Sequence, residues 1–157
     1  MNAILAIDCA IGWGATFLVR VVKPRARMGA IAEGLKARTM RFALDVCELI
    51  THLPRSEPGE TARLQLSKAA TSVAFNYRAA CRGRSHKEYT AKIGLVAEEA
   101  DESVGWLEFI EAARLLTSPE LIRLIVESRE LSAIMSASFG TARYKERNGD
   151  DDNRRRR

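Results

Sequence analysis

Much that would announce a function is missing from these 157 residues. Cysteine occurs three times, at Cys9, Cys47 and Cys81, an odd number with no C-x-x-C pair. A disulfide framework or a zinc knuckle is therefore not expected. Cys47 and Cys81 stand among apolar residues and read as small buried hydrophobes in a reducing cytoplasm. Proline occurs four times and never inside a long periodic stretch. With that, and with no strand pattern competing, the fold class expected is all-α. Only His52 and His86 supply imidazole. There is no phosphate-binding loop, no G-x-G-x-x-G, no H-E-x-x-H and no metal-spaced His/Cys cluster. No cofactor, no metal and no catalytic residue is expected.

The one apolar run, 3-AILAIDCAIGWGATFLVRVV-22, also lacks what a leader or an anchor needs. No Lys or Arg precedes it and no small-residue cleavage site follows. Asp8 makes it a costly membrane span, and two glycines weaken it as a helix. Residues 1–27 are read as an upstream extension ahead of Met28, and no membrane partner is expected. The last residues, 145-KERNGDDDNRRRR-157, have no apolar side chain at all, so 143–157 is expected to be a charged tail without fixed structure.

Between these ends lies a clear pattern. Hydrophobic residues make up 46% and charged residues 29%, enough for one domain with a real core. Leu35, Phe42, Val46, Leu49, Ile50 and Leu53 recur at helical spacing over about 35–53, and Pro54 ends that helix. A second helix over about 60–81 carries Leu66, Ala69, Ala70, Val73, Ala74 and Tyr77, a stripe of mostly small residues that permits close approach of a neighbour. Ser85 and Glu88 form a capping box that opens a third helix. It continues through Tyr89, Ile93, Val96, Ala100, Val104, Leu107 and Ile110 to about Leu116. Ser118, Pro119 and Glu120 suit the start of a fourth helix, with Gly140 as its stop. Four amphipathic helices with short connections over 28–142 imply an up-down-up-down bundle.

Chemistry is sparse. Cys81 near His86 hints at a thiol nucleophile, but a triad needs a positioned third group, and the plainer reading is a core thiol and a solvent-facing imidazole. Glu98, Glu99, Asp101, Glu102, Glu108 and Glu111 form an acidic face on the third helix, without the inward Glu-x-x-His motifs of a di-iron bundle. The net charge is +5 and the pI about 9.4. Arg78, Arg82, Arg84 and Lys87 cluster at the corner between the second and third helices. Arg63 and Lys68 add charge on the other part of the second helix, and Lys36, Arg38 and Arg41 on the first. Such segregation suits phosphate contact through counterion release, or contact with the acidic helix of an identical neighbour.

The run 72-SVAFNYRAACRGRSHKEYTAKIGLVAEEADESVGWLEF-109 carries a resemblance. Ser72, Val73, Asn76, Tyr77, Arg84, Ser85, Glu88, Tyr89 and the Trp106-Leu107 pair resemble the bacterial four-helix-bundle proteins encoded in intervening sequences of large-subunit ribosomal RNA genes. These are similar in turn to the accessory variability determinant of diversity-generating retroelements. The resemblance implies a four-helix bundle, a homopentameric barrel and no known enzymatic activity. It also implies a role in binding RNA or DNA or, in the retroelement branch, a reverse transcriptase. Asn76 and Tyr77 are expected at the end of the second helix, with Asn76 hydrogen-bonded across to a helix terminus. The functional expectation is a cytoplasmic, non-enzymatic oligomer binding nucleic acid through Arg63, Lys68, Arg78, Arg82, Arg84 and Lys87. The alternative is a protein-interaction accessory subunit without nucleic-acid affinity of its own.

Overall fold

A computed structural model describes residues 24–155, with side chains from 29 to 148. The upstream extension as far as residue 23, with Cys9, lies outside the described residues. Four helices follow one another: α1 Pro24–Leu49, α2 Gly59–Ala80, α3 His86–Ala112 and α4 Pro119–Arg155, with no strand among the described residues. Each helix packs on its two neighbours and none on the one diagonally opposite, which closes a four-helix bundle. Cross-links between helices give the direction. Arg38 of α1 meets Glu127 of α4, while Asp45, two turns on, meets Arg123, one turn back. The two helices are therefore antiparallel.

The core is largely the one the helical spacing implies, although Leu35, Tyr89, Val104 and Phe139 are only half-buried. Phe42, Val46, Leu66, Val73, Ile93, Leu107, Leu124, Leu131 and Met135 are all buried. On α2 the buried stripe is largely alanine, Ala62, Ala69, Ala70 and Ala74. This lets α3 come close, and Gly94 of α3 lets α4 do the same. A Cβ at Gly94 would lie 3.0 Å from the Phe139 ring. The buried hydroxyls of Thr39, Thr90, Ser103 and Ser128 each donate to a carbonyl of their own helix, so none is left unpaired.

The helix ends differ from the sequence reading in three places. α1 begins well before residue 35, at Pro24, a residue suited to a first helical position. Its far end tightens into one 3₁₀ turn over Ile50–His52. α3 stops at Ala112 rather than near Leu116, because Arg114 turns left-handed and Leu115 N–H bonds back to the Ile110 carbonyl at 3.0 Å. Leu115 and Leu116 still pack against the core, so they look periodic without being helical. α4 does not stop at Gly140. It runs on to Arg155, and the charged segment from 145 is helical there rather than without structure. At ~1.5 Å per residue, the 37 residues of α4 span ~55 Å against ~33 Å for the 22 of α2. The C-terminal part of α4 and the N-terminal part of α1 thus overhang the short α2–α3 corner.

Candidate nucleic-acid interface

The corner is built by local rules. α2 ends at Ala80, and Gly83 passes so close to α3 that a Cβ there would sit 3.2 Å from both the Ala80 carbonyl and the Tyr89 nitrogen. Ser85 is extended and its Oγ accepts the Glu88 N–H at 3.1 Å, as a capping box requires. The return bond departs from the standard form. Glu88 Oε2 accepts from the Arg84 backbone N–H at 2.9 Å rather than from Ser85, which draws the loop tighter over the helix start. Asn76 is half-buried one turn before the end of α2, and no side-chain hydrogen bond of Asn76 is among those the described residues form. The expected bond to a helix terminus is not among them.

The overhanging helices turn this corner into the floor of an open cleft of about 830 Å³. Tyr77, Cys81, Gly83 and Tyr89 form its base. Ala32 of α1 stands on one side and Ala137, Ser138 and Thr141 of α4 on another, with Arg84 and Lys145 also lining it. Burial, and then the neighbouring Cys81 thiol, push both the Tyr77 and the Tyr89 phenol above the ordinary tyrosine range, so both stay protonated donors. His86 donates through Nε2 to the Ala142 carbonyl at 2.9 Å, which fixes α3 to the overhang of α4. No hydrogen bond joins Cys81 to His86 among the described residues.

The candidate basic residues separate into two groups. Arg78, Arg82, Arg84 and Lys87 are exposed and form no ion pair among the described residues. They gather at the corner end of the bundle. Lys87 borders a shallow groove between α3 and α4 with Phe139 and Arg143, whose guanidinium lies 5.5 Å over the Phe139 ring. Arg63 does not belong with them. It is mostly covered, donates to the Leu53 carbonyl at 2.6 Å and lies 3.4 Å from Glu60, tying the start of α2 to the end of α1. Lys68 is exposed midway along α2, on the side of Glu99. Arg38 is likewise engaged, by Glu127 and Glu130. Trp106 is remote from the corner, donating to Glu102 at 3.2 Å and stacking edge-on with Phe109.

The residues that sequence reading missed are Arg143, Lys145 and Arg147, all exposed on the overhang of α4. The available signal was Ala142, three positions after Phe139 and seven after Met135, and it is buried. Among the described residues no cluster of three or more His, Cys, Asp or Glu could hold a metal ion. No helix there is long and apolar enough to cross a membrane.

The model of the 23S rRNA-intervening sequence protein family matches residues 34–137. The chain belongs to this family. The match spans the four helices of the bundle and stops before the overhang of α4, so Arg143, Lys145 and Arg147 lie beyond it. Among solved structures, a protein of unknown function from the S23 ribosomal protein family of Bacteroides thetaiotaomicron is similar. It is 21% identical with a TM-score of 0.60, over 66% of this chain and 96% of that one. At that identity the likeness shows the shared helical fold. No curated protein matches the chain.

Proposed function

We propose that the protein is a non-enzymatic, cytoplasmic, oligomeric bundle that binds RNA or DNA through the end where α2 turns into α3. The observation that carries this is charge left free. Elsewhere some cations are paired, Arg38 with Glu127, Arg123 with Asp45 and Arg129 with Glu108, and Arg41, Arg55, Lys68 and Arg114, which form no ion pair among the described residues, stand singly on separate stretches of the chain. At the corner end Arg78, Arg82, Arg84 and Lys87 have no such partner among the described residues and face solvent. Unpaired arginines gathered at one end are what a phosphate backbone engages, each contact releasing counterions. The family resemblance adds the homopentamer.

Changing Arg78, Arg82 and Arg84 together to Glu abolishes binding of labelled structured RNA and duplex DNA while far-UV circular dichroism stays unchanged. Unaltered affinity would sink the proposal. Sedimentation of the same samples gives the number of copies.

A second reading, a protein-interaction subunit such as an accessory to a reverse transcriptase, has its own support. Leu64 and Phe75 are 67% and 61% exposed, and eleven positions, about three turns, place them on one face of α2. Ile122 and Val126 are exposed together on α4. Exposed apolar residues in register suit a protein partner as well as a second copy of the chain.

A further inference from the structure

The cleft at the corner differs in kind from the charged surface around it, and it goes further than the phosphate contact just proposed. Exposed arginines on a convex end engage any phosphate backbone. The cleft instead has depth, an aromatic and small-residue floor, and cations beside it.

We infer that this cleft, between the overhangs of α1 and α4, receives an unpaired nucleotide, its base on the floor of Tyr77, Gly83 and Tyr89 and its phosphate toward Arg84 and Lys145. The inference rests on the nucleic-acid reading above and narrows it to single-stranded or flipped-out nucleotides. Four features support it. The volume, about 830 Å³, is of the size that takes a small organic group, ~300–1,000 Å³ in general. The wall residues Ala32 and Ala137 and the floor residue Gly83 are small, which leaves a slot where larger side chains would close it. The phenols keep their protons, while the Ser138 and Thr141 hydroxyls donate to their own helix, to the Ile134 and Ala137 carbonyls, and keep lone pairs to accept. A flat apolar face with a polar edge and an anionic end matches that arrangement. A paired base does not, because its faces are stacked and its edge is occupied, so the nucleotide must be outside a duplex to enter.

The test uses the full chain with a labelled single-stranded oligonucleotide, the blunt duplex of the same sequence, and the single strand with abasic sites. Two variants fill the cleft from opposite walls, Thr141→Leu on α4 and Ala32→Leu on α1. Both residues are at least partly exposed helix positions and leucine is a good helix former, so the fold is kept. The single strand binds roughly tenfold more tightly than the duplex, the order expected for one base held by stacking. Either filling variant, or abasic substitution, removes that preference and leaves duplex binding as it was. A preference that survives both fillings, or no preference at all, overturns the cleft while leaving the basic end as a phosphate-binding surface. No binding of any of the three probes overturns both.

Discussion

Arg114 holds a left-handed conformation, φ 54°, two residues past the end of α3. Arg114 N–H bonds to the Glu111 carbonyl and Leu115 N–H to the Ile110 carbonyl, both at 3.0 Å, the paired closure that glycine usually provides. An L side chain there pays a steric cost of about 1–2 kcal/mol, and glycine regains most of it against its own greater chain entropy. Arg114→Gly is therefore expected to stabilise the fold by about 0.5–1 kcal/mol, seen as a rise of a few degrees in Tm. Glu99 works in the opposite sense. Burial first, and then the nearby carboxylates of Glu102 and Glu98, raise its pKa, with Lys68 opposing. A carboxyl raised in the folded state favours folding when protonated, and that contribution fades as pH climbs through its raised range. Glu99→Gln should raise Tm at pH 7, with the gain shrinking toward pH ~4, where the unfolded carboxyl also protonates. A gain independent of pH would mean that its charge is not strained.

At the scale of the helix, α1 and α4 make the least extensive contact of the adjacent helix pairs, and ion pairs tie them together. Arg38 grips Glu127 with both Nε and Nη2 at 2.7 Å and also reaches Glu130. Burying only part of these groups limits the benefit. Arg38→Met, which keeps the stem but removes the fork, is expected to cost about 1 kcal/mol in urea unfolding, less at high salt. A cost unchanged by salt would assign the effect to packing. The elements themselves were legible in the sequence wherever an apolar stripe met a known punctuation mark. Ser85 does cap α3, and Ser118 Oγ accepts the Leu121 N–H at 3.1 Å at the start of α4. Leu115 and Leu116 misled, because a chain folded back after a helix can bury side chains at the spacing of another turn. Gly140 misled for the converse reason. An exposed glycine with nothing near its missing side chain costs a helix only about 1 kcal/mol, too little to end one that still buries Ala142. Arg63 could not be separated from the free arginines by sequence, since its carbonyl partner, Leu53, belongs to another element.

The whole molecule carries its charge by ends. Arg78, Arg82, Arg84 and Lys87 gather where α2 meets α3, while the far end opens a cleft of about 500 Å³ lined by Asp45, Glu48, His52 and Glu120. Glu120 is held below the ordinary carboxylate range by its bond to Arg123, so this one carboxylate keeps its charge further into acid than a free one. An anionic polymer approaching such a body is turned toward the corner end before any contact forms. Only there does the overhang of α4 add Arg143, Lys145 and Arg147, outside the segment that the family shares. This makes their share measurable. With residues 149–157 deleted to silence the terminal arginines, changing these three to Gln should lower the slope of log affinity against log salt by about 2–3 per protomer for duplex DNA. The same change leaves Arg78, Arg82 and Arg84 in place, so binding weakens without vanishing. An unchanged slope would mean that phosphates follow the α2–α3 corner alone and that the overhang serves only to wall the cleft. A slope falling by the full amount would make the long α4 part of the binding surface, and the reach of that helix, rather than the shared bundle, would set how much nucleic acid each copy covers.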